Sequence, residues 1–181
     1  QVTGNLNLES VLQTTVQLLR GLLNARASTI NMVAEDDLTE LIVKAAVGIE
    51  LEYNDARMKV DDSISGQVVT TSEMVYIQDT YNQPDFLFFD EAVRSLLVVP
   101  LIVRDEAIGT LTIDSDQVDA FTESDQQLMI IASAQVSVAI ENARLFEESE
   151  ARTKELADAY EELKESDRLK DELVQNVSHE L

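Results

Sequence analysis

His179 is the only histidine in the 181-residue chain, and Glu180 follows it directly. A neutral imidazole nitrogen is a good nucleophile near pH 7, because it exposes a lone pair without help from a strong base. Glu180 can accept a hydrogen bond from the other ring N–H, which would fix the tautomer and stabilise the cation formed during transfer. A lone histidine near a chain end is usually only a surface residue, so the residues around the pair decide between that interpretation and a group-transfer site with Glu180 as its supporting acid or base.

The residues around His179 carry a family resemblance. Asn176-Val177-Ser178-His179-Glu180-Leu181 follows Arg168-Leu169-Lys170-Asp171-Glu172-Leu173. Together they resemble the phosphoacceptor box of two-component sensor histidine kinases, which usually continues with Arg-Thr-Pro. The resemblance implies that His179 takes a phosphoryl group from ATP on the first helix of a dimeric hairpin. It also implies a response regulator as partner, and the chain is expected to be the input fragment of such a kinase.

The sequence lacks the parts that would bind a nucleotide. Its five glycines are scattered, and neither a Gly-x-x-x-x-Gly-Lys-Ser/Thr nor a Gly-x-Gly-x-x-Gly stretch occurs. Phosphoryl transfer depends on such parts, together with Mg²⁺, to position the phosphates and neutralise their charge. ATP and Mg²⁺ are therefore expected for the parent kinase only, and this fragment is expected to be inactive alone.

Composition excludes several other kinds of site. The chain has no cysteine, so disulfides, thiolate metal sites and thioether-linked bilins are ruled out. No histidine-ligated haem is expected, because His179 lies far from the predicted domain. The carboxylates at 35–37, 61–62 and 114–116 are interpreted as solvated turns and not as a metal site.

The net charge of −22 indicates which partners to expect. A chain this acidic is predicted to repel nucleic acid and anionic membrane surfaces. No run of about 18 apolar residues is visible, so no membrane segment is expected in this fragment. A cytoplasmic location is predicted, and membrane anchoring of the parent stays open.

Hydrophobic periodicity predicts an α+β order. Leucine and valine recur every three or four residues from Leu8 to Leu23, which predicts a helix. Strand patterns follow at 28–33, 40–47, 57–60, 75–78, 95–103 and 107–114, with a short helix at 64–69. Thr122-Glu123-Ser124-Asp125 resembles a capping box, and the helix it opens is predicted to reach Leu181.

This order resembles the GAF domain over residues 6–146. The resemblance is carried by Ser65-Gly66-Gln67, the run from Arg94 to Leu101, Ile108-Gly109-Thr110-Leu111 and the spacing to Phe121-Thr122-Glu123-Ser124-Asp125. It implies an antiparallel sheet flanked by helices. The family often has a glycine where Ser72-Glu73-Met74 stands. The predicted domains are a sensory GAF-like unit (1–146), a coiled-coil signalling linker (147–168) and the start of the phosphoacceptor helix (169–181).

The segment 79–95 is too aromatic for a plain solvated loop. One interpretation is a small-molecule pocket, roofed by aromatic rings and contacted by polar groups on its walls. The predicted pocket residues are Asp79, Tyr81, Phe86, Phe88, Phe89, Arg94 and Thr112. The alternative is that the aromatic rings pack onto the sheet and fill the cavity. The relatives that bind cyclic nucleotides carry an Asn-Lys…Phe…Asp-Glu set. Asn82-Gln83 and Phe89-Asp90-Glu91 resemble this set only partly, and its lysine is missing here. Cyclic nucleotides are therefore not favoured as ligands.

The helix after Thr122 is predicted to form a parallel homodimer, because a polar helix needs a partner. With Leu156 at position a, the apolar seam positions are Leu128, Ile131, Val138, Leu145, Leu156, Ala159, Leu163, Leu173 and Val177. Polar residues interrupt the seam near 149–152 and 166–170, and the spacing then changes as in a stutter. The alternative is a solvated single helix held by pairs such as Glu148–Arg152 and Glu150–Lys154.

Three functions compete. The first is a sensory and dimerisation input segment that relays a GAF-domain signal through the paired helix to His179. The second is a ligand-free GAF dimerisation spacer that only transmits a signal from an upstream domain. The third, a GAF-fold reductase, is opposed by the absence of cysteine, because such enzymes resemble each other in using thiols.

Overall fold

The computed structural model describes residues 2–49, 56–83 and 90–179, and the side chains within 8–49, 56–83 and 90–170. The elements are α1 (Val2–Leu22), β1 (Ala27–Val33), β2 (Glu40–Val47), β3 (Arg57–Lys59), α2 (Ile64–Thr71), β4 (Val75–Ile77), a 3-10 turn (Thr80–Asn82), β5 (Ser95–Val103), β6 (Glu106–Ser115) and α3 (Glu123–His179). This order confirms the predicted α+β class. Helix α1 begins at Val2, earlier than the leucine pattern from Leu8 indicated.

Six antiparallel strands form one sheet in the order β3-β2-β1-β6-β5-β4. Among the described residues, strand β4 pairs with Leu96, Leu97 and Val98 of β5. Pro100 lies just beyond that pairing, where β6 is the only strand neighbour within the described part of the chain. Proline has no N–H to donate, so it is better tolerated there than between two paired strands.

The two faces of the sheet pack against different helices. Every second side chain of β1, β5 and β6 points to the same face of the sheet, and α1 and α3 pack on that face. The main core is formed there by Leu12, Val16, Leu19, Ile30, Leu97, Val99, Leu101, Leu111, Ile113, Met129, Val136 and Ile140. On the opposite face, Ile64 and Val68 of α2 pack against Ile77 and Val98. Helix α2 therefore covers the face that α1 and α3 leave free.

Helix α2 is held at both ends by local chemistry. The Gly66 N–H donates to the Ser63 hydroxyl at 3.0 Å, which satisfies a free donor of the first turn. Ser72 ends the helix in the left-handed conformation, with φ of 56°. Glycine is the usual residue for that conformation, so serine here carries a strain that glycine would not. Gly66 itself is confined, because a Cβ atom would lie 1.8 Å from the Val60 carbonyl oxygen.

Gly66→Ala is therefore expected to lower the free energy of unfolding by about 3 kcal/mol, because backbone atoms must move to admit the methyl group. Gly21→Ala is the matched control. Nothing lies within 4 Å of a Cβ at Gly21, and alanine in a helix is expected to raise the same free energy by about 0.5–1 kcal/mol. Urea denaturation followed by circular dichroism measures both. Equal effects of the two variants would contradict the close packing of α2 on Val60.

Helix α3 is one helix of 57 residues. The predicted capping box is present, since the Thr122 N–H donates to Asp125 at 2.8 Å and the Asp125 N–H donates back to the Thr122 hydroxyl at 3.3 Å. Contrary to the expectation from the sequence, a stretch between Glu123 and Lys170 is apolar enough to cross a membrane by length and composition. Core helices pass the same test, and this one buries Met129 and Val136 against the sheet.

Candidate functional site

A row of polar side chains lies on the α2 side of the sheet, along the paired strands β1 and β6. Its members, called the polar row, are Arg26, Asn31, Ser65, Thr110, Thr112 and Asp114. Asn31 is buried, and its amide donates to the hydroxyls of Ser65 at 3.3 Å and Thr110 at 3.2 Å. The Thr112 hydroxyl is buried as well and has no hydrogen-bond partner. A buried polar group without a partner costs free energy, so Thr112 is the point of this face best suited to a ligand's polar atom.

Arg26 continues the polar row between two carboxylates. Its Nε lies 2.8 Å from Asp114, and its Nη1 lies 2.8 Å from Asp90. Burial raises the pKa of the Asp114 carboxyl, although Arg26 attracts its charge. The pKa of Asp90 is lowered, first by the Ala92 backbone N–H and then by Arg26. The pKa values of the two carboxylates that contact Arg26 are thus shifted in opposite directions.

These opposite shifts predict opposite pH dependences. The pKa of Asp114 is higher in the folded chain than its ordinary value of about 3.9. Asp114 therefore contributes fully to the free energy of unfolding below that ordinary pKa, and the contribution is lost as pH rises through the folded pKa. Asp114→Asn should therefore gain stability relative to the parent chain as pH rises. The lowered pKa of Asp90 gives a contribution that is lost as pH falls through its folded value, so Asp90→Asn should lose relative stability as pH rises. Urea midpoints between pH 3 and 7 check both, and slopes of the same sign would contradict the assignment.

Three of the predicted pocket residues form a second cluster. Arg94 lies 3.0 Å from the Asp79 carboxylate, and its guanidinium lies 4.2 Å from the centre of the Tyr81 ring. The Tyr81 hydroxyl donates to the Glu91 carbonyl at 3.2 Å. Asp79, Tyr81 and Arg94 thus come together as predicted, but their polar groups bind one another, and Tyr81 is 66% exposed.

Of the other predicted pocket residues, the structure describes Thr112 alone. Thr112 belongs to the polar row on the sheet and makes no hydrogen bond with the Arg94 cluster. Phe86, Phe88 and Phe89 lie outside the described residues. Sequence reasoning missed Asn31, Ser65 and Thr110; the available signal was the run of alternating polar residues in β6 from Thr110 to Asp114.

A hydrogen-bonded connection leads from the β4 edge to the start of α3. The Tyr76 hydroxyl donates to Asp119 at 2.9 Å and accepts the Phe121 N–H at 3.1 Å. The two rings meet edge to face at 6.3 Å, and Phe121 is buried in the main core. Because α3 begins at Glu123, the position of β4 is tied to the first turn of α3.

The predicted seam follows α3 out of the domain. Leu128 packs against the main core, whereas the next members are exposed. Their exposed fractions are 61% for Ile131, 55% for Val138, 46% for Leu145, 67% for Leu156 and 60% for Leu163. Ala159 is exposed too, and the side chains of Leu173 and Val177 lie outside the described residues. Helix α1 adds three exposed apolar residues that the sequence analysis missed, Val11, Leu18 and Leu22.

The predicted phosphoacceptor lies at the end of the same helix. The backbone of α3 runs without a break to His179, whereas its side chain and Glu180 lie outside the described residues. Within the described chain, no group of three or more His, Cys, Asp or Glu side chains is placed to hold a metal ion.

The chain matches a known family. The GAF domain family model matches residues 7–140, which is more than half of the chain. The chain belongs to the GAF domain family. GAF domains are signalling and sensory domains, and the long C-terminal helix extends past the matched residues.

Several named proteins are similar to parts of this chain. A free methionine-R-sulfoxide reductase of Escherichia coli strain K12 is 32% identical over 71 residues, which are 39% of this chain and only 43% of that protein. The type II free methionine-R-sulfoxide reductase of Thermoplasma acidophilum has a TM-score of 0.71 at 20% identity, over 78% of this chain and 96% of that one. The GAF-B domain of DevS from Mycobacterium smegmatis has a TM-score of 0.65 at 20% identity, over 77% and 97%. These structural likenesses concern the fold alone.

Proposed function

We propose that this GAF domain is the sensory and dimerisation input segment of a two-component histidine kinase. It relays a signal through paired α3 helices to the phosphoacceptor His179. One observation carries the proposal: α3 begins on the core of the domain and reaches His179 as a single helix. From Leu145 to His179 it spans about 50 Å at 1.5 Å per residue.

A second copy of the chain is the partner that α3 requires. Every residue from Arg144 to Lys170 is exposed in the single chain, and a helix without tertiary contacts is only marginally stable in water. The exposed residues Ile131, Val138 and Leu145 continue the heptad frame of Leu156 and Leu163. A parallel pair would bury this seam along both the domain and the linker.

The relay would work through packing at the start of α3. A ligand at the polar row shifts the strands that hold it, and Tyr76 and Phe121 transmit the shift to the first turn of the helix. The interrupted seam then allows two arrangements of the paired helices. His179 would be presented differently in each to an ATP- and Mg²⁺-binding domain, with Glu180 as supporting acid or base and a response regulator as the final acceptor. The segment works in the cytoplasm in this proposal, with no nucleic-acid partner.

The second candidate is a ligand-free GAF dimerisation spacer. It is favoured by the Arg94 cluster, because Asp79, Tyr81 and Arg94 satisfy one another without a ligand. The unpartnered Thr112 hydroxyl supports the sensory function instead. The relatives that are named as methionine-R-sulfoxide reductases make free methionine sulfoxide a probe worth including, as a bound molecule only, since this chain has no thiol.

Native mass spectrometry of protein purified from its own organism tests the proposal. We expect the mass of a dimer together with an additional small-molecule mass, and that mass should be lost in Thr112→Val. A dimer without additional mass, unchanged by methionine sulfoxide, would favour the spacer. A monomer at high concentration would refute both candidates, since each depends on paired helices.

A further inference from the structure

A groove lies on the molecule away from the polar row. It runs between α3 and the part of β5 that β4 does not cover, and its volume is about 600 Å³. Met74, Ile102, Ile130 and Val138 form much of its wall. Ile102 and Ile130 are 43% and 48% exposed, so the groove presents apolar side chains to an incoming molecule. Its size is that of a small-ligand site.

The polar lining of the groove consists mostly of hydrogen-bond acceptors. Two of its serines use their hydroxyl hydrogens inside α3, because Ser133 donates to the Ile130 carbonyl and Ser137 donates to the Ser133 carbonyl. Their oxygens can therefore only accept. Arg104 supplies donors, but its Nε and Nη2 both contact the Glu141 Oε1 atom, at 2.8 Å and 2.6 Å.

Glu141 has spare accepting capacity. Its Oε2 atom is buried and has no hydrogen-bond partner, although Oε1 receives both contacts from Arg104. The Arg104 side chain is 58% exposed, and such surface ion pairs are weak and exchangeable. A displacement of Arg104 would uncover a carboxylate at the end of an apolar groove.

We propose that this groove binds a small amphiphile that carries a primary ammonium group on an apolar body. The ammonium group would donate to the Glu141 carboxylate beside or in place of Arg104, as a charge-assisted hydrogen bond. The apolar body would cover Ile102 and Ile130 and remove them from water. An anionic amphiphile fits poorly, because it would meet Glu141 in a chain of net charge −22.

Occupancy of the groove would also affect the paired helices. Val138 lines the groove and belongs to the exposed seam of α3. A molecule bound against Val138 is therefore expected to shift the dimerisation constant. This consequence rests on the proposed function, whereas binding of the amine does not.

Methyl NMR of the whole chain, titrated with n-hexylammonium, tests the binding. Saturable shifts are expected for the methyl groups of Met74, Ile102 and Ile130. Glu141→Gln should weaken binding about tenfold, because the charge is lost while the shape is kept. Ala134→Trp should abolish it by filling the groove from an exposed position on α3. Glu147→Gln and Ala151→Trp are the matched controls on exposed positions outside the groove, and they should bind as the parent does.

Several results would overturn the proposal. Shifts that persist in Ala134→Trp would place the amine elsewhere, and equal binding of n-hexanol or hexanoate would show that Glu141 selects nothing. Conversion to monomer by Ala134→Trp but not by Ala151→Trp would show that a second copy occupies the groove. Sedimentation of the unsubstituted chain tests the dimer separately. A monomer that binds the amine would refute the proposed function alone. A dimer that does not bind the amine would refute this inference alone.

Discussion

Replacing Ala159 by aspartate is expected to convert the protein to monomers, whereas the same replacement at Ala157 leaves it dimeric. In the heptad frame set by Leu156, Ala159 occupies a seam position, and Ala157 lies on the opposite side of the helix. Both are exposed in the single chain, so neither change disturbs the domain core. In the dimer, only the aspartates at 159 face each other across a buried seam. Burying two like charges is expected to weaken association at least about 100-fold.

Sedimentation equilibrium over a range of protein concentrations measures this difference directly. The pair is closely matched, since both variants exchange alanine for aspartate and add the same charge to a chain of −22. Far-UV circular dichroism should also show a loss of helix in Ala159→Asp, because the unpaired linker is marginal alone. A dimer that tolerates both changes would move the interface to the exposed residues Val11, Leu18 and Leu22 of α1, and the predicted seam would be wrong.

The strands were predictable because their signals are local. Alternating or continuous apolar side chains predicted β2 and β5 at the bounds that the structure has, and β1, β3, β4 and β6 to within one residue at each end. The start of α1 was placed too late, because Thr3, Gly4 and Asn5 give no apolar repeat although the backbone is helical there. A stripe of leucines indicates which side of a helix is buried, but it does not determine the residue at which the helix begins.

The contacts within the polar row could not be predicted from the sequence. Arg26 meets Asp114 across 88 positions, and Asn31 meets Thr110 across 79. Both pairs are created by the antiparallel register of β1 with β6, which no single stretch of sequence specifies. Asp79 and Arg94 are only 15 positions apart and flank one segment, so their meeting was predictable.

The exposed residues of α1 were missed for a related reason. A leucine pattern on one helix predicts its buried side, but exposure depends on what else covers the helix. Leu18 and Leu22 remain 59% and 70% exposed in the folded chain. The heptad repeat of α3 could be identified from the sequence because such a repeat is a property of one helix, whereas the outer surface shared by α1 and α3 appears only after both have packed on the sheet.

Under the proposed function, His179→Gln is expected to abolish phosphoryl incorporation at this site of the kinase, because these 181 residues contain no other imidazole nucleophile. Glutamine keeps the helix propensity and polarity of this position at the end of α3, so the loss would be chemical. Ser178→Ala is the control for the neighbouring hydroxyl and should incorporate phosphate as the parent does. Mass spectrometry of the peptide containing His179, with a test for acid-labile and base-stable phosphate, provides the measurement.

The 181-residue chain alone should incorporate nothing from labelled ATP and Mg²⁺, since its scattered glycines form no phosphate-binding loop. Incorporation there would mean that a nucleotide site exists within these residues. Phosphate on Ser178, or acid-labile phosphate that survives in His179→Gln, would instead remove His179 from the reaction. In that event the proposed pairing of α3 would be unaffected, and the choice between sensor and spacer would depend on whether a small molecule binds at Thr112.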